Sequence, residues 1–295
     1  METSLASAFA GFCASAATVV FFPLEVARAR LMVSDGHSPN HLPHFATSYQ
    51  AISSLYREQG LSGVYKGWQM TILSNFAWMA YFFFYSRAKG HYSKEFEEEH
   101  TEMYKFLTAA EAAVLARIVT NPLWVVKTRL ILQQYHLNWH SDLLEAIQKI
   151  YKVDGFSGYW NGLAPGLLLC SNGAVQLYMY ETLKERLGEE FWGVSLAGGL
   201  SKLGSGVILY PLQTVMTRLQ QEQYSQSIPQ HSGQLLGPVK GEPFFHGMLN
   251  CILKTFRREG LAGFYRGIWV HVLRLVPANA LFFVVYEDTF KRFSK

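Results

Sequence analysis

Charge is scarce in this chain: Asp, Glu, Lys and Arg make up 16% of its 295 residues, against about 25% in soluble domains. That tilts the reading toward a membrane. The charges never run together and net only +4, which argues against a basic arm for nucleic acid. Three cysteines, Cys13, Cys170 and Cys251, show neither CxxC nor any paired spacing, so reduced thiols are expected rather than a disulfide framework or a zinc site. No basic region precedes the first apolar stretch, and no Arg-rich amphipathic leader is present; any organelle address is expected to be internal. Also missing are glycine-rich phosphate loops, ligand spacing among the ten histidines, and a Ser-His-Asp set. The chain therefore reads as a non-enzyme, with no metal and no cofactor.

What it has is six long apolar stretches. Ser4 to Leu24, Gly67 to Ser86 and Gly162 to Tyr180 carry no charge, and Ala112 to Val126 carries only Arg117. Phe191 to Val215 carries only Lys202, and Gly267 to Tyr286 only Arg274. Each is close to the roughly 20 residues a helix needs to cross a bilayer. Ser, Thr, Asn, Gln and Tyr are mixed among the Leu, Val and Phe, as in helices that face lipid on one side and a wet cavity on the other. The expected fold is an all-α membrane protein with six transmembrane helices. A soluble helical bundle is the competing architecture; charge-free stretches of this length count against it.

One unit is written three times. Pro23-Leu24-Glu25, Pro122-Leu123-Trp124 and Pro211-Leu212-Gln213 each follow an apolar run, with prolines 99 and 89 residues apart. Each is answered by a glycine-ended phrase, Tyr65-Lys66-Gly67, Trp160-Asn161-Gly162 and Tyr265-Arg266-Gly267. The period is about a hundred residues. Copies are expected at 1–93, 102–188 and 189–295, and Gln220 to Pro243, rich in Gln, Ser, Gly and Pro, reads as a flexible insertion in the third. Each proline is expected to kink its helix at the same place.

Helical spacing groups the intramembrane cations. Residues five and nine before each proline share a face: Thr18 and Ala14, Arg117 and Ala113, Gly206 and Lys202. Arg117 and Lys202 thus occupy equivalent faces, and Arg274 is the third buried cation. Snorkelling, or pairing with Glu111, would account for such cations without a ligand. Three cations without matched acids point instead to an anionic substrate.

The proline phrases, with Glu58-Gln59-Gly60, Asp154-Gly155 and Glu259-Gly260 ahead of the glycine triplets, resemble the signature of the mitochondrial carrier family over essentially the whole chain. That resemblance implies six tilted helices in threefold pseudosymmetry, a short matrix-side helix in each copy, and alternating access through one central site. It also implies a matrix gate in which the acid of one proline motif meets the base of the next. Carried over, Glu25 faces Lys127, Trp124 faces Met216, and Gln213 faces Arg28: one ion pair, one apolar contact and one amide contact. A lightly latched gate is expected. On the cytoplasmic side, Tyr180-Glu181 with Lys184 fits the family's second gate phrase; Tyr85-Ser86 with Lys89 lacks the acid, and Tyr286-Glu287 lacks the base at Phe290.

The substrate contacts implied by the resemblance are Ser74, Asn75, Leu169, Cys170 and Arg274, with Arg117 and Lys202 on the odd helices. Trp78, Tyr81 and Gln176 are further contact candidates or simply packing residues. Trp78-Met79-Ala80-Tyr81, Thr120-Asn121-Pro122-Leu123-Trp124 and Leu273-Arg274-Leu275-Val276-Pro277 are similar to the folate- and FAD-carrying members of the family. Tyr210-Pro211-Leu212-Gln213 looks more like its peroxisomal nucleotide carriers, and NAD, CoA and nucleotide cargoes stay open. FAD or folate is expected as cargo. A monomer in a lipid bilayer is expected, in the mitochondrial inner membrane or the peroxisomal membrane. A carrier fold repurposed as a scaffold or proton leak is the reading from another class; it would be expected to have lost the central cations.

Overall fold

The computed structural model describes Cys13 and residues 17–34, 47–65, 67–73, 75–90, 101–132, 143–188, 191–226 and 247–293. Among these residues there are helices and turns and no strand. In the first copy, a 3-10 turn at Thr18–Phe21 leads into α1 (Phe22–Val33), followed by α2 (Ser48–Val64), α3 (Trp68–Leu73) and α4 (Asn75–Lys89). The second copy holds α5 (Thr101–Leu132), α6 (Leu143–Asp154), a 3-10 turn at Phe156–Trp160, α7 (Leu163–Leu168) and α8 (Asn172–Leu187). The third holds α9 (Phe191–Ile208), α10 (Tyr210–Gln226), α11 (Met248–Phe264) and α12 (Ile268–Phe293).

The prolines do not act alike. α1 and α10 begin at the residue just before Pro23 and Pro211, whereas α5 runs through Pro122 without interruption. At the first turn of a helix, proline's missing N–H costs nothing; inside α5 it removes one bond of the ladder. The repeated proline thus opens a helix in copies one and three and sits inside a continuous helix in copy two. The insertion expected from Gln220 also begins later: α10 carries on to Gln226, and Gln220 and Gln221 are buried. Residues 227–243 lie outside the described set.

One described helix, Met103–Leu132, is long and apolar enough by itself to cross a membrane. The 67–86 stretch is described as α3 and α4 with residue 74 outside the set, 162–180 contains a 3-10 turn at Leu169–Ser171, and 191–215 changes helix at Leu209. Phe76, Phe82, Phe83, Val119, Leu177, Ile208 and Trp269 are large apolar side chains left exposed.

The short helices α2, α6 and α11 pack under the helix that carries their copy's proline. Ala146 and Ile150 of α6 bury against Val125, Val126 and Leu130; Leu55 of α2 buries against Phe22 and Val26; Cys251 of α11 buries against Val215 and Leu219. Fully burying each such side chain contributes about 1.5–3 kcal/mol. A glycine breaks each copy at the matching place, Gly60 inside α2, Gly155 just after α6 and Gly260 inside α11, with φ of 65, 68 and 65°. Only glycine reaches that left-handed region at no steric cost.

The copies then close into a ring. α1, α5 and α10 touch one another pairwise at the proline end. A Cβ on Gly67 would lie 3.4 Å from Leu130 Cβ of copy two; one on Gly162, 2.9 Å from Gln220 Cγ of copy three; one on Gly267, 3.3 Å from Leu31 Cβ of copy one. The seventh residue after each proline follows the same rule. Arg129 donates to the Gln220 carbonyl of copy three at 2.9 Å and pairs with Asp154 of its own copy at 2.5 Å. Arg218 donates to the Met32 carbonyl of copy one and pairs with Glu259. Arg30, the third member, is buried as well.

Candidate functional site

Glu25 is the hub of the proline end. Its Oε1 lies 2.7 Å from Lys127 Nζ, and its Oε2 lies 3.6 Å from Arg274 Nη1, so one carboxylate from α1 holds cations from α5 and α12. Arg28, one turn further along α1, donates to Gln213 Oε1 of α10 and lies over the Tyr210 ring, 5.2 Å from its centroid. Tyr210 in turn donates to the Arg266 carbonyl and stacks on Tyr265.

The pairing of Trp124 with Met216, expected as a plain apolar contact, has a guanidinium in it. Arg117 Cζ sits 5.6 Å from the Trp124 ring centroid, and its Nη2 lies 2.9 Å from Met216 Sδ. The other face of the story is Lys127, whose Nζ is 5.4 Å from the same ring. Arg117 has room because Gly166 of α7 has no side chain: a Cβ there would be 2.6 Å from Arg117 Nε.

These contacts correct the picture of three cations without acids. Arg274 has Glu25, and Arg117 has an aromatic face and a sulfur. Glu111, weighed as a partner for the central cations, lines a different cavity of about 260 Å³ together with Arg87 and Phe84. Three cations, Lys127, Arg274 and Arg28, nevertheless gather around Glu25, and Arg117 lies over Trp124 with its guanidinium on a sulfur.

Cys170 lies on the 3-10 turn between α7 and α8, with its Sγ 3.6 Å from the carbonyls of Ala113 and Gly166, and Leu169 is half-buried beside it. Lys202 is half-buried on α9, and Gln176 half-buried on α8. Tyr81 stacks on Tyr85 within α4, 5.9 Å between centroids. Ser74 lies outside the described residues, as do the side chains of Asn75, Trp78 and Glu287. At the far end, Lys89 lies over the Tyr85 ring, Glu181 is exposed and Lys184 is half-buried. Among the described residues, neither Lys89 nor Glu181 takes an ion-pair partner there.

Sequence reasoning missed three features. The arginines at 30, 129 and 218 recur seven residues after each proline, a signal open to anyone counting past the fifth. His271 is buried between Tyr210 and the Gly206 backbone, and its Nδ1 has no partner; standing three residues before Arg274 marks it as a neighbour on that helix face. Gly166 left no signal until its neighbour was known.

Comparison with known proteins finds one family model matched three times along the chain. The model of the mitochondrial carrier protein family matches residues 1–96, 98–191 and 187–295. The chain belongs to the mitochondrial carrier family. As a member it is a membrane transporter and not an enzyme. This carrier is 36% identical to the chloroplastic folate transporter 1 of Arabidopsis thaliana, over 98% of this chain and 94% of that one. It is 30% identical to the mitochondrial nicotinamide adenine dinucleotide transporter 1 of Saccharomyces cerevisiae, over 97% and 75%. It is also 30% identical to the peroxisomal membrane protein PMP34 of Mus musculus, over 96% and 92%.

Proposed function

We propose that this carrier moves an anionic, nucleotide-like cofactor, FAD or folate, across the mitochondrial inner membrane by alternating access through one central site. Six helices span the bilayer in this reading, and the proline end is the matrix gate. The observation that carries the proposal is the excess of cation at that end: Lys127, Arg274 and Arg28 share Glu25, and Arg117 meets only a ring and a sulfur. Such an excess at membrane depth is costly unless water or an anion enters. Arg274 and Arg117 offer forked donors for a phosphate or carboxylate, while Leu169 and Cys170 offer a small apolar wall for a ring system. Ser74, Asn75 and Lys202 complete the proposed contact set. Glu25, Lys127, Arg28, Gln213, Trp124 and Met216 form the matrix gate; Lys89, Glu181, Lys184 and Glu287 serve on the cytoplasmic side.

Similarity to a folate transporter favours folate-type cargo, and similarity to a dinucleotide transporter and a peroxisomal membrane protein supports a second reading, in which NAD, CoA or nucleotides cross a peroxisomal membrane. The test is uptake by liposomes carrying the purified protein, with FAD, tetrahydrofolate, NAD, CoA and AMP offered in turn. FAD or tetrahydrofolate uptake that Arg274→Ala abolishes is the expected result. Uptake of none would leave the scaffold or leak reading in its place, and uptake indifferent to Arg274 would overturn the proposed contact set.

A further inference from the structure

We propose that Arg117 is the third latch between copies at the proline end, replacing the ion pair that copies two and three lack, and that Gly166 is the berth built for it. The latch positions, two and five residues after each proline, join copy one to two through Glu25 and Lys127, and copy three to one through Gln213 and Arg28. From copy two to three they offer only an indole and a thioether. A thioether is a weak acceptor, and an indole is the best aromatic face for a cation. Arg117, five residues before Pro122, supplies the missing charge: it lies over Trp124 on its own helix and donates to Met216 on α10.

The fit is reciprocal across the copies. Five residues before each proline, and four after each repeat glycine, stand Thr18 and Thr71, Arg117 and Gly166, Gly206 and His271. In copy two the first position is large and the second is bare. In copy three the sizes are exchanged: a Cβ on Gly206 would lie 3.2 Å from His271 Nε2, as one on Gly166 would lie 2.7 Å from Arg117 Nη2. Two glycines at opposite members of one repeated contact, each facing a large polar partner, are built-in space. Arg117 is therefore seated by the fold in its latched position, a positioning residue in the closed end whatever it does for cargo. The inference rests on the proposed reading that this end opens during transport.

Gly166→Ala separates position from charge, because it keeps the guanidinium but fills its seat. Thermal unfolding of the purified protein, followed with a thiol dye at the buried Cys251, needs no cargo. Arg117→Ala and Gly166→Ala should each lower the midpoint by about 2–4 °C, and the double variant should fall no further than Arg117→Ala alone. Gly173→Ala, with open space around it, should not lower it. In vesicles, an impermeant maleimide supplied on the proline side should label Cys170 several-fold faster in both variants than in the parent or in Gly173→Ala. Full additivity, an unmoved midpoint in Gly166→Ala, or unchanged labelling would overturn the latch. Should Arg117→Ala fail to fold, Gly166→Ala decides alone. Absence of uptake with any cargo would refute the transport reading and leave the unfolding result to stand for itself.

Discussion

Arg218 grips Glu259 with both ends of its guanidinium, at 2.5 and 3.0 Å, while its Nε donates to the Met32 carbonyl of another copy. Both side chains are 3% exposed. Without Arg218, Glu259 keeps only the more distant and more exposed Arg266, and losing a buried partner costs about 3–5 kcal/mol. Arg218→Ala should therefore lose most of its folded yield in detergent, and Arg218→Lys should recover little, since donors clustered on one nitrogen cannot span the carboxylate and the Met32 carbonyl as the guanidinium fork does. Size-exclusion profiles and unfolding midpoints check this.

Exchanging the charges of the hub pair should repair it only in part. Glu25→Lys and Lys127→Glu should each cost about 1–3 kcal/mol, the range for hydrogen bonds to charged groups. The double exchange restores the pair but sets a lysine 3.6 Å or so from where Arg274 now meets Glu25. A double variant as stable as the parent in thermal unfolding would show that Arg274 makes no use of Glu25.

Two glycines that share φ but not ψ should both resist alanine, for different reasons. Gly155 has φ 68° with nothing within 4 Å, and Gly162 has φ 74° with Gln220 Cγ 2.9 Å and the Met216 carbonyl 3.1 Å from an added Cβ. Gly155, at ψ −165°, lies where essentially only glycine goes, so Gly155→Ala should cost about 1–3 kcal/mol in backbone strain alone. Gly162→Ala, at ψ 12°, should cost about 1–2 kcal/mol for the left-handed turn plus the spreading of the ring contact to copy three. Unfolding midpoints rank the two.

Trp124→Asp should slow transport rather than damage the fold. The new carboxylate would stand where Arg117 now lies over a ring, and an extra 1.4 kcal/mol holding the closed state would slow opening about tenfold. Adding Met216→Arg should undo part of that effect, because a second guanidinium would meet Arg117 where the sulfur is now. Initial uptake rates in liposomes read both.

The threefold fold was legible because its marks are backbone necessities. Proline and glycine recur for steric reasons that no neighbour can override, and Gly60, Gly155 and Gly260 take the same turn in every copy. The hub pair and the Arg28–Gln213 contact were legible too, since each is one step of that repeat. Apart from the arginines seven residues past each proline, what escaped notice depends on space rather than on period. The position of Arg117 on a helix face could be counted; its reach to Met216 depends on the side chain that Gly166 lacks. Likewise Arg274 counted as a cation without an acid because Glu25 already had a partner, and one carboxylate with two oxygens serves two cations.

The arginines seven residues past each proline borrow their carbonyls forward, copy two from copy three and copy three from copy one. A nascent chain halted after its second copy would hold Arg129 and Asp154 in place with no Gln220 to receive the guanidinium's remaining donor. The contacts within and between copies one and two could form in such an intermediate, but the ring itself can close only once the last third of the polypeptide is present.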